Sequence, residues 1–241
     1  MGCCKNCNET LNGEYCPACG QKDVDLERPF FELLGEAVSE AVDLDGRAGR
    51  TIRILFTQPG RLTEEFLAGR RKTYTSPIRL YLFISVSFFI LMAWIAARGL
   101  LLDQGQSIDA DAPVQAQFVS DQMPRLMFLL LPVFALLLKA TFRHRLYFDH
   151  LILSVHLHSA AFVILAVMLP VEKVANENLA ALILQVVMLG YFVFYLVASI
   201  RRVYSISWAG SIARSVAILF GYLVVFSVLI EGTSSFLIIS D

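Results

Sequence analysis

Five long apolar runs occupy the second two-thirds of this 241-residue chain. Each is about 20 residues long, which at about 1.5 Å per residue lets a helix cross a hydrocarbon core of roughly 30 Å. The runs predict an all-α integral membrane protein with a bundle of five spans at residues 76–241. Pro132 predicts a kink in the second span, and Pro170 and Gly232 are expected to end the third and the fifth. The predicted spans are about residues 77–97, 124–142, 148–169, 179–200 and 212–230.

The positions of lysine and arginine predict how these spans are oriented. Because the first span begins only at about residue 77, we expect no cleavable signal peptide. Basic residues concentrate before the first span, between the second and third, and between the fourth and fifth, whereas the other loops are mostly acidic. Positively charged loops stay in the cytoplasm, so the N-terminus is predicted to be cytoplasmic and the C-terminus outside.

Four cysteines ahead of the spans form two C-x2-C pairs: Cys4 and Cys7, then Cys16 and Cys19. This spacing is typical of two zinc knuckles that bind one tetrahedral Zn²⁺. Each knuckle needs a residue that tolerates positive φ after its second cysteine, and Asn8 and Gly20 occupy those positions. Four thiolates close the coordination shell, so the predicted zinc is structural and folds a small head at residues 1–22. The alternatives are two disulfides, disfavoured in a reducing cytoplasm, and a redox pair, which would normally open a helix of a βαβ unit.

Residues 23–75 predict amphipathic helices in the cytoplasmic interface. One apolar stripe at helical spacing covers residues 30–42, and a second covers residues 52–56, opposite three arginines. After a Pro-Gly break at 59–60, a short helix leads to a basic segment that we expect to contact anionic lipid headgroups. The alternative is that these cations are only the topology signal of the first span. The predicted headgroup contacts are Arg70, Arg71, Lys72 and Arg79.

The segment around this basic group resembles the signature of a bacterial membrane family of unknown function. It reads Thr51-Ile-Arg-Ile-Leu-Phe-Thr-Gln-Pro59-Gly60, then Glu65-Phe-Leu-Ala-Gly69-Arg-Arg71-Lys-Thr-Tyr74-Thr-Ser-Pro77-Ile-Arg79-Leu-Tyr81. The family is the domain-of-unknown-function family three-six-six-seven, and the run Asp149-His150-Leu-Ile-Leu-Ser-Val-His156-Leu-His158 is similar to it as well. The resemblance implies a zinc-ribbon-like cysteine head and several spans in a bacterial inner membrane. It implies no established activity.

All four histidines lie within fifteen residues around the start of the third span. On one helix, an arc of about 80°, which we call the histidine stripe, would hold Arg143, Tyr147, His150, Ser154 and His158 and should face other helices, whereas His156 points away. Expected partners are Tyr191 and Tyr195 on the fourth span, or Tyr81 on the first. Three interpretations stay open: a second metal site, a site for an anionic headgroup or substrate, and structural hydrogen bonds between helices. The candidate residues are Arg143, Tyr147, Asp149, His150, His156 and His158.

No motif of a standard enzyme occurs, and neither paired broken helices nor inverted repeats of a secondary transporter are found. The sequence therefore favours a non-enzymatic membrane protein whose zinc head binds a cytoplasmic protein or docks on the protein's own basic helices. The alternative is a transporter or intramembrane enzyme that uses the histidine stripe to handle a metal, a proton or an anionic lipid. Five spans do not divide into two equal halves, so a pore or carrier would need a homo-oligomer. No nucleic-acid partner is expected.

Overall fold

The computed structural model describes residues 2–23, 47–97, 123–175 and 178–240. Within these ranges the chain forms seven α-helices and no β-strand, which confirms the all-helical fold class for the described residues. The helices are α1 Ala48–Thr57, α2 Arg61–Leu67, α3 Pro77–Ala97, α4 Met123–Thr141, α5 Tyr147–Ala175, α6 Leu179–Tyr204 and α7 Trp208–Ser240.

Four of these helices are long and apolar enough to cross a membrane, namely α3, α5, α6 and α7. Their candidate spans cover 19 to 26 residues, which matches the thickness of a hydrocarbon core. The second predicted span corresponds to α4, which has 19 residues and begins directly after residues 98–122, outside the described residues. Because α4 is not among the four, the structure supports four candidate spans, and the count of five stays a prediction.

Several helix ends differ from those predicted. α5 continues through Pro170 and α7 continues past Gly232, so the prediction that these residues end their helices is wrong. A proline removes one N–H and a glycine only lowers helix propensity, so neither has to end a helix in an apolar setting. α6 extends four residues beyond its predicted end, to a left-handed cap at Ser205. α3 has the predicted bounds, and Pro132 lies inside α4 as expected.

α1 and α2 form a helical hairpin around the Pro-Gly break at 59–60, which we call the hairpin. Its buried face carries Thr51, Leu55, Leu62 and Thr63. Gly60 has a φ of 76°, and a Cβ at this position would lie 3.0 Å from the backbone of Ser199 on α6. The turn therefore needs a glycine both for its conformation and for its close approach to α6. The other predicted amphipathic stripe, residues 30–42, lies outside the described residues.

α5 is the central helix of the bundle. It packs against α1, α2, α3, α4 and α6, and 67% of its candidate span is buried, compared with 11% for α6 and for α7. Residues 150–160 are buried without interruption, so every side of the helix is covered over about three turns. Polar side chains in this stretch must therefore bond to the protein rather than to water, either to neighbouring helices or to carbonyls of α5 itself.

The register of α3 on α5 makes room for the hairpin. Tyr81 and Phe88 of α3 both contact the ring of Phe162, which is fifteen residues into α5. α5 therefore begins roughly two turns before α3 does. The hairpin packs beside these first turns of α5. The head, the hairpin, the α4–α5 loop and the α6–α7 loop all lie at this end of the bundle, which we call the head side.

Candidate functional site

The four cysteines of the head converge on one point. Their Sγ atoms all lie within 4.8 Å of one another, and the nearest pairs join the two knuckles: Cys4 to Cys19 at 3.6 Å and Cys7 to Cys16 at 3.5 Å. Four sulfurs bound to zinc at about 2.3 Å would lie about 3.8 Å apart at the corners of a tetrahedron. The arrangement fits one closed metal site. It is the one group of three or more potential metal ligands in the described part of the chain.

The two knuckles share one backbone structure, repeated after twelve residues. The first cysteine of each donates its N–H to the carbonyl five residues later, at 2.8 Å in one knuckle and 2.9 Å in the other. Asn8 and Gly20 have φ of 63° and 67°, which confirms that both positions require a residue tolerant of positive φ. An isolated β-bridge closes each knuckle, Cys3 with Thr10 and Tyr15 with Lys22.

Backbone amides point at the second sulfur of each knuckle. The N–H of Gln21 lowers the pKa of the Cys19 thiol to about 7. The N–H of Glu9 acts to lower the pKa of Cys7 as well, but loss of solvation and the three neighbouring thiols raise it to about 12. Ionisation of one thiol therefore opposes ionisation of its neighbours. A divalent cation would remove this opposition because it stabilises all four thiolates at once.

The second knuckle docks on residues 69–73 between α2 and α3, which we call the docking loop. The side-chain amide of Gln21 donates from Nε2 to the carbonyl of Gly69 at 2.7 Å. Its Oε1 accepts from the backbone N–H groups of Arg71 and Lys72 at 3.0 and 3.2 Å. One glutamine therefore uses both ends of its amide to bind three backbone groups of the loop.

The first knuckle contacts the same loop. The hydroxyl of Thr73 donates to Oδ1 of Asn6 at 3.2 Å. Gly69 has a φ of 83°, and a Cβ there would lie 2.7 Å from the side chain of Lys5. The glycine thus allows both the turn of the loop and the close approach of the head.

The docking loop is also bound to the hairpin. Arg47 donates to the carbonyl of Lys72 at 2.8 Å, and the N–H of Thr75 donates to the hydroxyl of Thr51 at 3.0 Å. A continuous set of hydrogen bonds therefore leads from the head through the loop into α1.

The residues predicted to contact lipid headgroups lie in or just after this loop. Arg70 is half-buried and pairs with Glu65 of α2, which raises the pKa of the guanidinium. The guanidinium of Arg71 lies 5.1 Å from the ring of Phe66. Lys72 is exposed and Arg79 is half-buried. At least two of these four side chains, those of Arg70 and Arg71, therefore already contact residues of α2.

His156 faces the hairpin. Its Nδ1 lies 2.9 Å from the hydroxyl of Thr63 on α2, and both side chains are buried. His156 also lines a narrow cleft together with Arg70 and Arg71 of the docking loop, and this cleft has room for about one water molecule at most. This hydrogen bond therefore lies between the docking loop and the core of the bundle.

His150 faces α6. Its Nδ1 lies 2.5 Å from the hydroxyl of Tyr204, whose ring stacks on Phe142 at 3.7 Å with an interplanar angle of 3°. Nε2 of His150 is buried and has no hydrogen-bond partner among the described residues.

His158 faces α4 and α7. Its Nε2 lies 3.1 Å from the hydroxyl of Tyr222 on α7, and its Nδ1 lies 2.8 Å from the carbonyl of Ser154. The hydroxyl of Ser154 donates to the carbonyl of Leu131 on α4 at 2.8 Å, and Tyr147 donates to the carbonyl of Pro132. The bonds of Tyr147, Ser154 and His158 therefore join α5 to α4 and α7.

The histidines of α5 therefore point to three different elements. Within the described residues they form no group of potential metal ligands. Arg143 does not share a helix face with them, because α5 begins only at Tyr147. Arg143 lies in the preceding loop, whose carbonyls accept hydrogen bonds from Lys139. Asp149 is half-buried in the first turn of α5. Tyr191, an expected partner, instead donates its hydroxyl to a carbonyl of α1.

Several residues that make these contacts carry little sequence signal. Gln21 is one polar residue after a knuckle, and nothing in its neighbours indicates a bond to a loop about fifty residues away. Thr63 is a polar residue on the apolar face of α2, which is a weak sign of a buried partner. Tyr204 and Tyr222 are two tyrosines among eight. Their pairing with histidines depends on the register of the helices.

The segment that receives the head also matches a known family. Residues 45–89 match the family model described as "Protein of unknown function (DUF3667)". The match spans 45 of the 241 residues. The match covers α1, α2, the docking loop and the first part of α3, and it confirms the resemblance seen in residues 51–81. The run at 149–158 lies outside the match. No curated protein and no solved structure matches the chain.

Proposed function

We propose that this DUF3667 chain is a non-enzymatic, multi-pass protein of the bacterial inner membrane, with a cytoplasmic head that binds one structural Zn²⁺. The head holds the docking loop, and through it the hairpin, against the bundle. The observation that carries this proposal is the side chain of Gln21, which binds three backbone groups of the loop.

Zinc supports this role because the head is too small to fold without it. About twenty residues cannot bury a core of their own, so the free energy of metal binding becomes the free energy of folding. Gln21 follows the last cysteine by two residues, and its backbone closes the second knuckle on Cys16. Its side chain can therefore bind the loop only while the knuckle is formed.

The charge distribution supports the cytoplasmic location. The head side carries the basic residues of the docking loop, the α4–α5 loop and the α6–α7 loop, as expected for the cytoplasmic ends of spans. A C-terminal tag should then be accessible from outside the inner membrane. Accessibility only from the cytoplasm would contradict five spans with a cytoplasmic N-terminus.

An exposed ring on the head is available to a protein partner. The ring of Tyr15 is 58% exposed. The head therefore combines an internal contact through Gln21 with a free surface for a cytoplasmic protein.

Hydrogen exchange at the docking loop tests the internal contact. In the full-length protein in detergent, the Gln21→Ala variant should retain zinc, and the amides of Arg71 and Lys72 should exchange faster than in the wild type. Asn12→Ala is the matched control, since it removes an exposed amide side chain of the same head. Unchanged exchange at both amides in the Gln21 variant would contradict the docking role.

A second candidate function rests on His150, whose buried Nε2 has no partner among the described residues. Such an atom is a potential ligand or proton carrier for a transporter or an intramembrane enzyme. This function requires that a ligand still binds to the protein when the cysteine site of the head is removed. A second metal that persists in the Cys4→Ser/Cys7→Ser variant and disappears with His150→Ala and His158→Ala would favour it over the scaffold.

A further inference from the structure

The four converging cysteines of the head differ in solvent exposure. Cys4 and Cys16, the first cysteine of each knuckle, are both 2% exposed. The second cysteine of each knuckle is accessible, since Cys7 is exposed and Cys19 is partly exposed. Thiolates are the nucleophilic form of cysteine, and oxidants react first with those they can reach. A small oxidant in the surrounding water therefore meets the sulfur of Cys7 before the other three.

Each accessible cysteine lies beside a buried cysteine of the other knuckle. The Sγ atoms of Cys7 and Cys16 are 3.5 Å apart, and those of Cys19 and Cys4 are 3.6 Å apart. An oxidised sulfur condenses with the thiolate that reaches it first, and in both cases the nearest thiolate belongs to the other knuckle. Oxidation is therefore expected to join the two knuckles rather than the two cysteines of one knuckle.

We propose that Cys7 is a peroxide-sensitive oxidation site whose reaction releases zinc from the head and frees the docking loop. The proposal rests on the proposed function, because zinc holds the thiolates together there. The thiolate of Cys7 attacks hydrogen peroxide, takes one oxygen as a sulfenic acid and releases hydroxide. The thiolate of Cys16 then attacks that sulfur, which forms the Cys7–Cys16 disulfide and releases a second hydroxide. The two sulfurs lose two electrons, and the peroxide gains them.

This disulfide opens the metal site. A sulfur in a disulfide is neutral and no longer a thiolate, so the ligand set falls from four thiolates to those of Cys4 and Cys19. More peroxide joins these two in the same way. A head of about twenty residues depends on the metal for most of its folding free energy, so loss of zinc also unfolds the knuckles.

Gln21 connects this chemistry to the docking loop. It lies two residues after Cys19, and its backbone N–H bonds to the sulfur of that cysteine. Its carbonyl accepts from the N–H of Cys16, and its side chain binds three backbone groups of the loop. The backbone of Gln21 is thus held by two cysteines that oxidation removes from the metal. We therefore expect its side chain to release the loop when zinc leaves.

The cytoplasm, where the head is predicted to lie, supplies the reverse reaction. Cytoplasmic dithiols reduce disulfides by exchange, and the attack needs a sulfur that the dithiol can reach. Cys7 is the exposed member of its pair. Reduction restores the thiolates, and zinc can bind again.

The disulfides of the oxidised wild type test the chemistry without any substitution. Full-length, zinc-loaded protein in detergent is treated with hydrogen peroxide in steps, the remaining thiols are alkylated, and the linked peptides are sequenced by mass spectrometry. A chromogenic chelator measures the released zinc. We expect the Cys7–Cys16 disulfide to form first and in proportion to the zinc released. A first disulfide within one knuckle would overturn the proposal, and so would zinc that stays bound after Cys3, an exposed thiol outside the site, is fully oxidised.

Two histidine variants test which sulfur reacts first, because histidine can replace one thiolate in a structural zinc site. Cys7→His removes the accessible thiol and should slow zinc release by peroxide about tenfold. Cys4→His is the matched control, since it makes the same change at a buried position and leaves the Cys7–Cys16 pair intact. It should release zinc at about the wild-type rate. Equal slowing in both variants would contradict the role of Cys7. Where a variant binds no zinc before treatment, the disulfides of the wild type decide.

Hydrogen exchange at the amides of Arg71 and Lys72 separates the oxidation switch from the scaffold. Peroxide should remove their protection in the wild type as fully as a chelator does, and a dithiol reductant added with zinc should restore it. If the chelator frees the loop and peroxide does not, the switch is wrong and the scaffold stands. If neither frees the loop, the scaffold is wrong and the switch with it.

Discussion

The cysteines of the head and the histidines of α5 are both clusters in the sequence, but only one is a cluster in space. Four cysteines within sixteen residues bring their sulfurs to within 4.8 Å of one another. Three histidines within nine residues of α5 bind a threonine on α2, a tyrosine on α6 and a tyrosine on α7. Convergence indicates a ligand site, whereas divergence indicates a framework that holds helices together.

The difference follows from the backbone that carries each set. In a knuckle, positive φ at Asn8 and at Gly20 turns the chain back so that side chains close in sequence meet. On a helix, residues 150, 156 and 158 differ by 600° and 200° of rotation, so at least two of them face different neighbours. Sequence proximity therefore predicts a site when the backbone turns back on itself, or when the helical spacing puts the residues on one face.

The largest expected effect is the loss of the metal. The Cys4→Ser/Cys7→Ser variant should contain no zinc, since two thiolates leave the coordination shell open, whereas the wild type should contain one zinc per chain. Metal analysis of the purified, reduced protein measures this. Cys3→Ser is the control, because Cys3 is exposed and lies outside the converging group. Wild-type protein without metal would contradict the zinc assignment.

A smaller effect, a loss of stability, is expected when the hydrogen bond between α5 and the hairpin is removed. His156→Ala leaves the hydroxyl of Thr63 buried without its partner, which should lower the free energy of unfolding by about 2 kcal/mol. Unfolding of the full-length protein by dodecyl sulfate measures it. Thr63→Val removes the same hydrogen bond from the other side, so the double variant should lose less than the sum of the two. Fully additive losses would show that the two side chains do not interact.

The bonds of His150 and His158 should be weaker and independent. Tyr204→Phe and Tyr222→Phe each remove one hydroxyl and should cost about 0.6 kcal/mol, as is typical of polar contacts between membrane helices. Because the two tyrosines bind different histidines, the double variant should lose the sum of the two within error. A large non-additive change in the free energy of unfolding would show that the two bonds belong to one shared site. That result would contradict the conclusion that the two histidines face different neighbours.

The smallest expected effect is on metal content when histidines are removed. His150→Ala/His158→Ala should leave the zinc content at one per chain, because neither imidazole belongs to the converging group. A fall in metal content in this variant, with the cysteines intact, would show that α5 binds metal after all.

The sequence predicted those features that depend on local patterns. Cysteine spacing with Asn8 and Gly20 predicted the form of the knuckles, and the first apolar run predicted the bounds of α3. The partners of the histidines were not predictable, because they depend on α5 beginning two turns before α3 and on the hairpin beside it. Arg143 was assigned to the histidine face because periodicity alone does not show where the helix begins. The contact of Gln21 with the docking loop joins segments about fifty residues apart, and no local pattern encodes it.

The most direct test of the account is to follow the docking loop while zinc is returned to the metal-free protein. The full-length chain is stripped by a chelator under reducing conditions, and zinc is added in steps up to and beyond one equivalent. Hydrogen exchange is measured at the amides of Arg71 and Lys72 and, as a reference, in the buried stretch 150–160 of α5. The account predicts that both loop amides gain protection in proportion to bound zinc and reach a plateau at one equivalent, while α5 does not change. Loop protection that is the same with and without zinc would contradict it.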